Sequence, residues 1–97
     1  MAIRSFDDQT TSDIYHGENT KAARKIGSKV WPHAQRRLSL LHAAKTPLDL
    51  ASVPGLHFKP LKHDRPGFYS VRVNDQYRVT FNWKDDAAEE VWCGDYH

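Results

Sequence analysis

Two arginines, Arg72 and Arg78, flank the turn signal Asn74-Asp75 in a region that alternates apolar and polar residues. Phe68 to Val73 puts Tyr69, Val71 and Val73 on one face of an extended segment. Gln76 to Trp83 puts Tyr77, Val79, Phe81 and Trp83 on one face of the next. If both apolar sets point the same way, residues standing opposite each other must have numbers with an even sum. Val73 opposite Tyr77 is the tightest solution, with Asn74-Asp75-Gln76 as the loop. Val71 then meets Val79, and Arg72 stands directly against Arg78 on the side away from the core. Like charges in that position destabilise a sheet. An anion between them offsets the repulsion, and guanidinium groups match phosphate oxygens. The competing reading is two surface arginines, splayed into water or paired with Asp75 and the acidic tail.

The chain ends Asp95-Tyr96-His97. A histidine transfers protons near neutral pH, an aspartate can orient it, and a tyrosine can stack on a base or donate a hydrogen bond. If the last strand pairs beside Tyr77–Trp83, this tail lies next to the row carrying Arg78. Strand alternation gives Asp95 and His97 one face and Tyr96 the other, so their convergence needs a twist. A frayed, chemically indifferent end is the alternative. The remaining histidines show no metal-ligand spacing: His33 and His42 are not at i, i+4, and His57 and His63 flank an extended piece. Neither a metal nor a cofactor is expected. Cys93 reads as a small core residue. There is no glycine-rich phosphate loop and no nucleophile elbow.

The elements that position these groups follow from periodicity. Ala2 to Phe6 alternates and suggests a short first strand. Asp7 to His16 is a polar helical turn capped by Ser12 or Asp13 and ended by Gly17. Trp31, Ala34, Leu38, Leu41 and Ala44 form one apolar face, which predicts a helix over about 32–45 with Pro32 in its first turn. Arg36 projects to the other side. Thr46-Pro47 reads as cap and first position of a second short helix through Leu50. Phe58 to Lys62 is extended, 63–67 is a loop, 84–88 is a connection and Glu90 to Tyr96 is a last strand. The result is an α+β domain. An antiparallel sheet of three or four strands, plus the short N-terminal strand, is covered by helices on one face.

Composition agrees with this. The 97 residues fit one domain, 1–97, with a modest core. Hydrophobic residues make up 39% and charged residues 27%, an ordinary globular balance. No apolar run reaches membrane-span length and no signal-peptide core is present, so a soluble, cytoplasmic protein is expected. A single cysteine excludes an internal disulfide. The net charge of +2 conceals a basic stretch of six Lys and Arg residues from Lys21 to Arg37, and an acidic last segment. Such a basic stretch can follow the phosphates of a polyanion, or it can be a solvated surface.

The stretch from Phe58 to Phe81, with its G-x-x-S-x-R-V-N-x-x-x-R-x-T-F pattern, resembles HigB-type toxins of the RelE superfamily when joined to the closing Asp95-Tyr96-His97. The likeness extends through Arg4-Ser5-Phe6 and the Arg37-Leu38-x-x-Leu41 helix to nearly the whole chain. It implies a ribosome-dependent endoribonuclease that cuts mRNA in the A site by attack of the ribose 2′-hydroxyl on the adjacent phosphate. It also implies a HigA-like helix-turn-helix antitoxin as partner, with operator DNA contacted only through that complex, and no membrane. Arg78 matches the family's phosphate-binding arginine, Arg72 a position that is basic in related toxins, and Asp95, Tyr96 and His97 the active-site tail. Several relatives carry a catalytic histidine where this chain has Lys59; His57, two residues away, is expected on the same strand face. The general base is therefore His97 or Lys59. Lys62 and the cluster containing Arg36 and Arg37 are expected to grip ribosomal RNA. A weakly catalytic ribosome- or RNA-binding inhibitor and a structural partner in a repressor complex are the alternative functions.

Overall fold

Helix formation starts where a side-chain oxygen meets the first unpaired amides. The computed structural model describes residues 2–61 and 65–95. In it, Asp8 caps α1 (Gln9–Tyr15) by accepting the Thr11 N–H at 2.9 Å. The caps expected from sequence, Ser12 and Asp13, lie inside the helix instead. Asp13 is buried, and its carboxylate accepts from Gln9 Nε2 at 2.6 Å and Thr20 Oγ1 at 2.5 Å. These bonds, Thr20 first, hold its pKa below the ordinary aspartate value. Gly17 ends the helix in the left-handed region, at φ 74°.

A 3-10 turn (Ala23–Lys25) leads to α2 (Trp31–Ala43), which has a proline in its first turn. Ala34, Leu38 and Leu41 are fully buried, and Trp31 and Ala44 pack partly against the same core. The short α3 (Leu48–Ala51) begins at Pro47, and the Thr46 side chain does not cap it. The Asp49 carboxylate instead accepts the N–H groups of Lys45 and Thr46, at 2.8 and 3.1 Å, and so fixes the entry turn from inside the helix.

Four antiparallel strands form one sheet in the order β1 (Lys59–Leu61), β2 (Phe68–Arg72), β3 (Tyr77–Lys84), β4 (Ala87–Asp95). The hairpin register is the one that parity requires: Val71 pairs with Val79 and Arg72 with Arg78. The β3–β4 connection is shorter than the expected 84–88. Asp85 and Asp86 both adopt positive φ, 53° and 60°, so they form a two-residue hairpin turn and Lys84 pairs with Ala87. A bulge at Glu90, φ 52°, shifts the alternation of β4 so that both Ala88 and Val91 face the core.

That bulge also explains why Ala2–Phe6 is not a regular strand. The segment runs parallel to β4 but makes only isolated bridges, Ile3 to Ala88 and Phe6 to Val91. The Ala88 N–H bonds to Ala2 O at 2.7 Å before the bulge, and the Val91 N–H bonds to Ser5 O at 3.1 Å after it. Ser5 Oγ accepts the Glu90 N–H at 2.9 Å between them. The N-terminal segment thereby covers an otherwise open sheet edge.

The helices pack on one face of the sheet. Ile14, Leu38 and Leu41 meet Val71, Val79, Phe81, Val91 and Cys93 in the core. Phe58, Tyr69 and Phe81 stack in succession on the same side, at 5.4 and 5.7 Å between ring centroids. Every even-numbered position of β2 and β3 therefore points to the opposite face.

Candidate active site

That opposite face gathers cations. Lys59 pairs with Ser70, Ser70 with Thr80, and Arg72 with Arg78, so three strands deliver Lys59, Arg72 and Arg78 around one small serine. Adjacent strands lie about 4.8 Å apart, which sets the spacing of the backbone positions that carry these side chains. Lys59 is exposed, and Arg72 and Arg78 are half-buried. Arg65, from the turn before β2, lies over the Phe68 ring at 3.9 Å and adds a fourth cation to this face.

Arg78 is held in place. Its Nε donates to Ser70 Oγ, and a terminal nitrogen donates to the His57 carbonyl at 3.0 Å. Ser70 is fully buried, so its hydroxyl is a fixed acceptor. His57 is not part of β1. It adopts a left-handed backbone, φ 48°, which interrupts the alternation that sequence reasoning used to put its ring beside Lys59. Its contribution to the site is the carbonyl. Arg72 N also donates to Leu56 O at 2.6 Å, which ties the 56–57 segment to the hairpin. Arg72 itself makes an ion pair with the exposed Asp75. An exposed pair of this kind is worth little and is easily exchanged for a polyanion.

Asp95 pairs with Tyr77 at the end of β4, and its carboxylate accepts from Gln76 Nε2 at 3.0 Å. Alternation gives it the opposite side from Arg78, which pairs with Gly94. Tyr96, His97 and Lys62 lie outside the described residues. Arg36 and Arg37 sit on α2, apart from the cationic face. The Arg36 guanidinium meets His33 Nδ1 at 2.7 Å, and Arg37 Nε donates to Arg72 O at 3.0 Å, linking α2 to the end of β2.

Cys93 is buried, its N–H donates to Thr11 Oγ1 at 2.9 Å, and desolvation pushes its thiol pKa up to about 12. It is a core residue, as its position in the sequence implied. Among the described residues no His, Cys, Asp or Glu cluster suits a metal ion, and no helix is long and apolar enough to cross a membrane.

Two contributors escaped sequence reasoning: Ser70 and the His57 carbonyl. Ser70 was visible only as the S of S-x-R. Its role as the acceptor for Arg78 depends on a cross-strand contact that spacing alone does not show.

The arrangement can bind a phosphodiester and stabilise extra negative charge on it. Comparison with known proteins identifies the family. Residues 4–97 match the family model of the RelE-like toxin of type II toxin–antitoxin system HigB. Toxin HigB-1 of Vibrio cholerae is 38% identical over 88 residues, covering 91% of this chain and 90% of that protein. The YoeB–YefM complex from Staphylococcus aureus superposes with a TM-score of 0.62 at 16% identity, over 100% of this chain and 99% of the other. A YoeB/ParE toxin from Agrobacterium tumefaciens also gives 0.62 at 16% identity, over 100% of both chains. These two likenesses concern the fold.

Proposed function

The chain belongs to the HigB family of RelE-like toxins of type II toxin–antitoxin systems, and on that premise we propose that it is an endoribonuclease that cuts mRNA in the ribosomal A site. The observation that carries this reading is the fixed Arg78 guanidinium, set opposite Arg72 with Lys59 on the same face.

The reaction needs no redox chemistry. The ribose 2′-oxygen attacks the neighbouring phosphorus as a base takes its proton. The P–O5′ bond then breaks and an acid protonates the leaving oxygen. A 2′,3′-cyclic phosphate and a 5′-hydroxyl result. Negative charge builds on the equatorial oxygens of the phosphorane, where cationic donors contribute most. Arg78 supplies the principal donor, with Arg72 beside it. His97 or Lys59 takes the proton, and Asp95 and Tyr96 complete the tail. Lys62, Arg36 and Arg37 contact ribosomal RNA. A HigA-like antitoxin neutralises the toxin, and the pair meets operator DNA through the antitoxin. The Staphylococcus aureus relative in fold is itself a complex, of YoeB with YefM, which supports a protein partner for this chain.

Lys59, at the position where several relatives carry a histidine, favours one second reading: a toxin that occupies the A site and blocks translation with little cutting. Primer extension on a translated mRNA, after expression without antitoxin, separates the two. Discrete cuts within codons support the nuclease; arrested translation with intact mRNA supports the blocker. Normal growth and intact mRNA reject both.

A further inference from the structure

β4 carries an aromatic residue on the cationic face that the reaction above does not use. Trp92 pairs with Thr80 and Gly94 with Arg78, so Trp92 stands one step along the strand from the phosphate-binding arginine, on the same side of the sheet. The indole does not stand upright. A Cβ placed on Gly94 would lie 2.2 Å from Trp92 Cζ2, 2.6 Å from Cη2 and 2.8 Å from Cε2. The six-membered ring is therefore laid over the glycine backbone and leans toward Arg78. Only glycine at position 94 permits this, since any side chain there would occupy the ring's volume. Trp92 is half-buried.

A flat aromatic ring held beside a phosphate-binding arginine is the arrangement that single-stranded RNA uses for stacking. We propose that Trp92 is a platform on which a base adjoining the cleaved phosphodiester stacks. Arg78 holds the phosphate and Trp92 holds the neighbouring base, which fixes the nucleotide at two points. Stacking is tolerant of base identity, so the platform contributes affinity and register rather than sequence choice. The inference rests on the nuclease reading and adds a substrate-positioning residue to it.

The test uses ribosomes programmed with mRNA carrying 2′-O-methyl groups in the A-site codon, which bind the toxin but cannot be cut. Trp92→Ala should weaken binding about 10- to 100-fold, the usual worth of one stacked base. Trp92→Phe should recover most of the loss. Gly94→Ala should behave like Trp92→Ala although the indole is still present, because the added methyl displaces it. An abasic nucleotide at one A-site position should weaken wild type by a similar factor and leave Trp92→Ala nearly unaffected. Wild-type affinity in Trp92→Ala, or abasic and Trp92→Ala effects that multiply, would overturn the platform. If Trp92→Ala fails to fold, the abasic series on wild type decides: indifference at every A-site position overturns the proposal. Wild-type cleavage of the unmethylated mRNA is measured alongside. Its absence overturns the nuclease reading, whereas cleavage with unaltered Trp92→Ala binding overturns the platform alone.

Discussion

Arg72 and Arg78 are direct cross-strand partners, both on the side of the sheet turned away from the helices. Two guanidinium groups in register repel each other. The protein tempers this with Asp75 on one arginine and with Ser70 and the His57 carbonyl on the other. The contacts differ in permanence. Asp75 is exposed and exchangeable, while Ser70 is buried. Arg78 is thus the built-in member of the pair and Arg72 the adaptable one.

Arg72→Ala should therefore leave the thermal midpoint unchanged or slightly higher, because a like-charge contact is removed and only an exposed ion pair is lost. Cleavage on ribosomes should fall about tenfold, well short of the effect at Arg78. A calorimetric scan and a single-turnover cleavage assay check both halves. A large loss of stability would show that Arg72 holds the hairpin together.

Acid should destabilise the fold through Asp13. Its pKa is depressed by the hydrogen bonds from Thr20 and Gln9. The folded protein thus keeps this group ionised at pH values where the unfolded chain protonates it. Its contribution is complete above the ordinary aspartate value of about 3.9 and is lost as pH falls below that, through the folded pKa. Asp49, depressed by the Lys45 and Thr46 amides, acts in the same direction. Asp13→Asn should lower the midpoint at pH 7 and flatten its decline below about pH 4. Thermal melts across that range measure this, and an unaltered acid decline in the variant would contradict it.

Cys93 should resist alkylation in the folded protein. A buried thiol with a pKa of about 12 is almost wholly protonated at pH 8, and the thiolate is the reactive form. Iodoacetamide labelling followed by mass spectrometry should show reaction only after denaturant is added. Rapid labelling of the native protein would mean that β4 opens easily.

Much of this architecture was legible in the sequence. The hairpin register followed from parity, because two apolar faces must share one core and a one-residue slip would have reversed every side chain. The face of α2 followed from helical spacing. The β3–β4 turn did not, because Asp85-Asp86 lacks the glycine that usually announces a two-residue hairpin. The N-terminal segment was misread as a strand because the Glu90 bulge, which interrupts its pairing, leaves no mark on its own residues. In the site, Arg72 and Arg78 were readable by type and spacing. Ser70, the His57 carbonyl and the Trp92–Gly94 contact were not, since each depends on a side-chain direction or a backbone twist that residue identity does not set.

The choice of general base follows from two variants. His97→Ala should lower the cleavage rate at least about a hundredfold if His97 transfers the proton. In that case Lys59→Ala should slow the reaction without moving the acidic limb of its pH profile. If Lys59 is the base, that limb should disappear in Lys59→Ala. Lys59→Ala should keep the wild-type thermal midpoint, because Lys59 is exposed, and the midpoint of His97→Ala is measured beside it. Pre-steady-state cleavage at several pH values provides the measurement.

Everything proposed for the reaction turns on Arg78 stabilising the transition state of RNA cleavage. The direct measurement is the single-turnover rate of Arg78→Ala on translating ribosomes, with product ends mapped by primer extension and Ser70 left intact. The variant should fold, still bind the programmed ribosome, and cut about 10²–10³-fold more slowly than wild type. Cleavage by Arg78→Ala at the wild-type rate would contradict this role.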